Sequence, residues 1–139
     1  MSLLPFSLLR RGRNERDEAV SAFLSEVRSN VRLIATSLTR ISELKSRFGL
    51  YEEELKSQLE ITVSELKNLR ELLEERKTIL NGLDGDSYNA VKVMEAYSII
   101  SESEGVSFVD ENADRILRAA RWCDGNLTKA LKNLRESER

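Results

Sequence analysis

Between Asn14 and Gly82 the apolar residues recur in alternating steps of four and three, and this rhythm restricts the chain more than any other feature. Val20, Leu24, Val27, Val31, Ile34, Leu38 and Ile41 carry it first. Leu55, Leu59, Leu66, Leu69, Leu73 and Leu80 take it up again further on. On a helix such spacing gathers the side chains into one narrow stripe, which only a second helix covers well. The spacing predicts an all-α fold: a long antiparallel coiled-coil helical hairpin over residues 14–82, followed by a small helical module over 86–137.

Gly49 decides between a rod and a hairpin. The rhythm can run straight through it, at the cost of Lys45 and Glu52 in the seam and a helix-weakening glycine between them. A hairpin uses the same residues as helix ends. Lys45 and Arg47 then sit at the negative terminus of the first arm, and Glu52, Glu53 and Glu54 at the positive start of the second. Gly49 supplies the left-handed residue that closes a helix, with Leu50 folding back onto Leu44. The hairpin is the preferred reading. Asn14 is expected to cap the first arm, and Asn81-Gly82 to end the second.

Chemistry finds few footholds in this composition. Histidine is absent, which removes the commonest general base, the usual zinc ligands and the usual triad. The acid runs Glu52-Glu53-Glu54 and Glu74-Glu75 splay by about 100° per residue on a helix, so they do not converge on one point. No Gly-rich phosphate loop or acidic calcium loop is present. The reading is therefore of no enzyme, with no catalytic, cofactor-binding or metal-ligating residues. Cys123, the single cysteine, rules out an internal disulfide and favours a reducing, cytoplasmic setting. A net charge of −2 gives no overall attraction to nucleic acid or acidic lipid.

Residues 1–13 are apolar, then basic, without an acid. Three readings stay open: a tail that docks on protein, a mitochondrial-type leader, and a peripheral membrane anchor. In the anchor, Leu3, Leu4, Phe6, Leu8 and Leu9 enter the lipid interface while Arg10, Arg11 and Arg13 meet anionic head groups. No apolar run is long enough to span a bilayer.

Beyond the hairpin, Asp84-Gly85 makes a turn, and a helix follows from Asp86 or Ser87 to about Ser101. Its apolar set, which includes Val93, Ala96, Ile99 and Ile100, is broad enough to predict burial on most sides. Residues 101–109 read as a loop that dips Val106, Phe108 and Val109 toward the core. Residues 110–137 read as two short helices, the first stopped by Asp124-Gly125 and the second capped by Asn126. Arg115, Arg118 and Arg121, with Lys129 and Lys132, form a minimal footprint for nucleic acid. Asp114, Asp124, Glu136 and Glu138 dilute that footprint, so nucleic acid ranks last among the partners.

Two resemblances accompany this reading. The stretch from Ala113 to Ala120 and on through Gly125, Asn126, Ala130 and Leu134 resembles the last two helices of ubiquitin-associated modules. It implies a compact three-helix interaction module without specifying a ligand. A short apolar-basic start before a helical hairpin is similar in architecture to the ESCRT-III membrane-remodelling family, which implies a peripheral, assembling protein. The function expected is a coiled-coil scaffold or adaptor that binds protein partners and self-associates. Val27, Val31, Ile34, Leu38, Leu66, Leu69 and Leu73 are expected to carry the assembly.

Overall fold

The computed structural model describes residues 6–47 and 49–137. Every regular element among them is a helix: α1 (Phe6–Lys45), α2 (Glu52–Glu75), the single-turn α3 (Lys77–Asn81), α4 (Gly85–Glu104) and α5 (Val106–Ser137). Gly49 adopts φ 79° between α1 and α2, so the chain reverses there and does not continue as a rod. Leu50 is 79% exposed, however, and does not close back onto the buried Leu44. The turn is held instead by Arg47 N–H donating to the Leu44 carbonyl and Leu50 N–H to that of Arg47. Asn14 lies inside α1, which already runs from Phe6, so the helix does not start at that residue.

Two further junctions position the second pair of helices. Gly85, at φ 60°, opens α4 after the extended Asp84. Gly105, at φ 75° and ψ −150°, separates α4 from α5 by a single residue. The loop expected over 101–109 is therefore absent, although Val109 is buried and Val106 and Phe108 pack against the core as anticipated. Asn112 departs from helical angles, at φ −115° and ψ 15°, and its side-chain amide donates to the Phe108 carbonyl across the bend.

The largest correction concerns Asp124-Gly125-Asn126. No turn forms there, and α5 runs through all three residues. A glycine inside a helix costs only about 1 kcal/mol. On either side of it Cys123 and Leu127 are fully buried, and burial of even one such side chain outweighs that cost. The Gly-Asn pair behind the ubiquitin-associated resemblance thus lies in mid-helix.

Helices α1 and α2 pack together, α2 against α4, α4 against α5, and α5 against α1, which closes a ring. The arrangement is an up-down-up-down bundle of four long helices. One continuous core joins all four: Val31 and Ile34 from α1, Leu66 and Leu69 from α2, Met94 from α4, Ile116 and Leu127 from α5. The C-terminal helices consequently pack along the whole hairpin and do not form a separate module at its base.

Candidate functional site

The seven residues expected to carry self-assembly are all 0–1% exposed within one chain. Their partners are α4 and α5, which close the seam from inside. A second chain has nothing to cover there, so the assembly surface read from the heptads is corrected to a core. Leu3 and Leu4 lie outside the described residues. Phe6, Leu8, Leu9, Arg10, Arg11 and Arg13 belong to α1, with side chains outside the description.

Among the described residues the polar interior supplies no reactive constellation. Ser37 Oγ donates to both carboxylate oxygens of Glu65, at 3.0 and 2.8 Å, linking α1 to α2. Burial raises the Glu65 pKa, and the Ser37 hydrogen bond offsets part of that rise. Cys123 is buried, and desolvation, with a smaller contribution from the Asp124 carboxylate, pushes its thiol up to about 12. A thiol held in that state is a poor nucleophile at neutral pH. Among the described residues no group of histidine, cysteine or acid side chains is arranged to hold a metal ion.

What the surface does contain is an unusual outer wall on α4. Val93, Ile99 and Ile100 are 37%, 50% and 39% exposed, and Ala96 between them is open as well. Along the outer side of the helix stand Asn89, Val93, Ala96, Ile100 and Ser103, and Lys92 beside them is paired with Glu95 at 2.6 Å. A solvated helix face ordinarily carries charges. The sequence reading placed these apolar residues on a helix and assumed burial. A helix apolar on all sides gives no periodic signal of which side stays bare.

Arg115, Arg118, Arg121, Lys129 and Lys132 of α5 are all exposed. Beyond the bend at Asn112 the helix is unbroken, so Arg115, Arg118 and Lys129 share the outward face of Trp122, with Glu136 a further two turns on, while Arg121 and Lys132 lie together on the flank nearer α1. None of the five side chains makes an ion pair or hydrogen bond among the described residues. Of the acids that dilute the set, Asp124 is bonded to Arg32 at 2.9 Å, while Asp114 and Glu136 are exposed on the same helix.

An open groove of ≈ 530 Å³ lies at one end of the bundle, among α1, the turn before α4, the start of α4 and the last turns of α5. Asp86 of α4 and Lys129 of α5 both line it. Comparisons with protein-family models, with curated proteins and with solved structures find no match to this chain.

Proposed function

We propose that the protein acts by contact and not by catalysis, as a helical adaptor whose outward α4 face receives a partner protein. The apolar line of Val93, Ala96 and Ile100, joined by Ile99, carries this reading. Three large aliphatic side chains on one exposed helix form the kind of patch that marks an interaction site. Self-assembly through the heptad seam loses its basis, since those residues are consumed by the chain's own core.

A photo-crosslinking residue placed at Ala96 tests the proposal in extract from the source cells, with one at Glu60 on exposed α2 as the positional control. A discrete adduct, identified by mass, is expected at Ala96 alone, and Ile100→Lys is expected to remove it without lowering the melting temperature. Adducts at both positions, or at neither, would count against a dedicated α4 face. Light scattering after gel filtration separates the rival. A monomer at high micromolar concentration is expected, whereas a dimer broken by Ile100→Lys assigns the face to a second copy.

A further inference from the structure

Charge is not spread evenly around the ring of helices. From Arg115 to Arg135, α5 carries six basic residues and one acid, Asp124. Helix α2, at the opposite corner of the ring, carries eight acids and three bases. A chain of net charge −2 thus presents a cationic side and an acidic back. Such a field turns the α5 side toward a polyanion and α2 away from it. Glu111 and Asp114 come before Arg115 and Glu136 follows Arg135, so these acids bound the stretch at its two ends.

Helix α1 extends the cationic side across the seam. The Arg32–Asp124 bond sets the two helices side by side and offsets the one acid of the stretch. One turn back from Arg32 is Arg28, and one turn on from Asp124 is Thr128. Because the helices are antiparallel, Arg28 comes level with Thr128, between the turns that carry Arg121 and Lys132. Ser25 and Ser21 continue that flank of α1, and no acid stands on it from Ser21 to Thr39. Glu26 lies four turns before Arg40 on the other flank, where Arg40 reaches Glu54 of α2 at 3.5 Å. The side chains of Arg28 and of the six bases of α5 make no ion pair or hydrogen bond among the described residues.

We propose that this α5–α1 side binds a single-stranded nucleic acid, its phosphates along the cations and a base stacked on Trp122. Unpaired cations spread over about 30 Å of helix match a ligand that carries a charge at every link. Trp122 is 46% exposed within the stretch, on the outward face of Arg115, Arg118 and Lys129. A positively charged surface with an aromatic platform is the combination that holds single strands, whose bases have free faces. In a duplex those faces are already stacked on one another. A lipid surface needs a broad apolar face to bury. Among the described residues of this stretch, Trp122 is the one large apolar side chain left exposed. The α4 face takes no part, so the proposal is independent of the adaptor reading.

Trp122 is the sole tryptophan, so its emission reports on this surface alone. The probe is oligothymidylate of about 15 nucleotides, titrated into the full chain. Saturable quenching of Trp122 is expected, with log affinity falling by about 0.7 per phosphate contact for each tenfold of salt. Arg121→Glu with Lys132→Glu, both at exposed positions, is expected to weaken binding by about tenfold or more at an unchanged melting temperature. Arg28→Ala is expected to lower the salt slope, which a site confined to α5 would not show. Lys56→Glu with Lys67→Glu on α2 is the charge-matched control, expected to leave the affinity within about twofold because distant charges are screened. Followed by anisotropy of a labelled strand, Trp122→Ala is expected to weaken binding by about fivefold or more, and Trp122→Phe much less. The proposal is overturned by an absence of quenching, by equal weakening in the α2 control, or by an Arg28→Ala salt slope equal to that of the wild type. Tighter binding of a duplex, of polyglutamate or of phosphatidylserine vesicles than of the single strand also overturns it.

Discussion

Arg32 Nε and Asp124 Oδ1 meet at 2.9 Å across 92 positions of sequence. Lys45 and Asp110 form a second link between the same two helices. Retreating along α1 from Lys45 to Arg32 corresponds to advancing along α5 from Asp110 to Asp124, so the pairs fix an antiparallel register. Asp124 also shows why no turn forms at that point of α5: its carboxylate reaches sideways to a neighbouring helix and caps no helix end.

The energy of this contact should be small. Its side chains are 54% and 32% exposed, and pairs of that kind contribute about 0.2–1 kcal/mol. A double-mutant cycle with Arg32→Ala and Asp124→Ala, read by urea unfolding, should give a coupling in that range and a lower one at high salt. Ile116→Ala, in the fully buried core beneath, should cost roughly 2–5 kcal/mol in the same assay.

Gly105 and Gly125 should respond oppositely to alanine. An added Cβ meets nothing within 4 Å at either position, so backbone conformation alone sets the sign. Gly105→Ala forces a side chain into φ 75°, ψ −150° and should destabilise by roughly 1–3 kcal/mol. Gly125→Ala, inside α5, should stabilise by about 0.5–1 kcal/mol. Thermal melts of both variants check this, and a destabilised Gly125→Ala would restore the turn that the sequence suggested.

Ser101 is buried, and its hydroxyl has no hydrogen-bond partner. Removing the hydroxyl removes a desolvation cost, so Ser101→Ala should raise stability by roughly 1–3 kcal/mol. Urea denaturation reads the change directly, and an unchanged or lower midpoint would contradict it.

Two titrating groups make stability decline as pH rises, each in its own window. Glu65 has a folded pKa raised above its unfolded value of 4.5, chiefly by burial, so the folded state holds that proton longer. Stability is therefore fuller below 4.5 and falls as pH climbs through the raised folded value. Glu65→Gln, which keeps an acceptor for Ser37, should flatten that fall and raise the melting temperature at neutral pH. Cys123 acts likewise between its unfolded value near 9.0 and about 12 in the fold. Maleimide labelling of the native protein at pH 8 should be slow and should accelerate on addition of denaturant.

Much of the fold was legible because helix ends announce themselves by charge. Lys45 and Arg47 before Gly49, with three glutamates after it, identified the reversal correctly. Asp124-Gly125-Asn126 misled for a complementary reason. Its local preference for a turn is worth about 1 kcal/mol, whereas the decision lay in the burial of Cys123 and Leu127 against distant helices. The heptads likewise showed that Val31 and Leu66 needed a covering helix but not that α4 and α5 would supply it. Val93, Ile99 and Ile100 illustrate the limit most plainly. Nothing in their spacing separates them from Val91 and Met94, which point inward from the same helix.

The single-residue link at Gly105 leaves the adjoining ends of α4 and α5 no slack. Those two ends cannot separate unless a turn of one helix unwinds, so the corner of the bundle is fixed at the moment the pair forms.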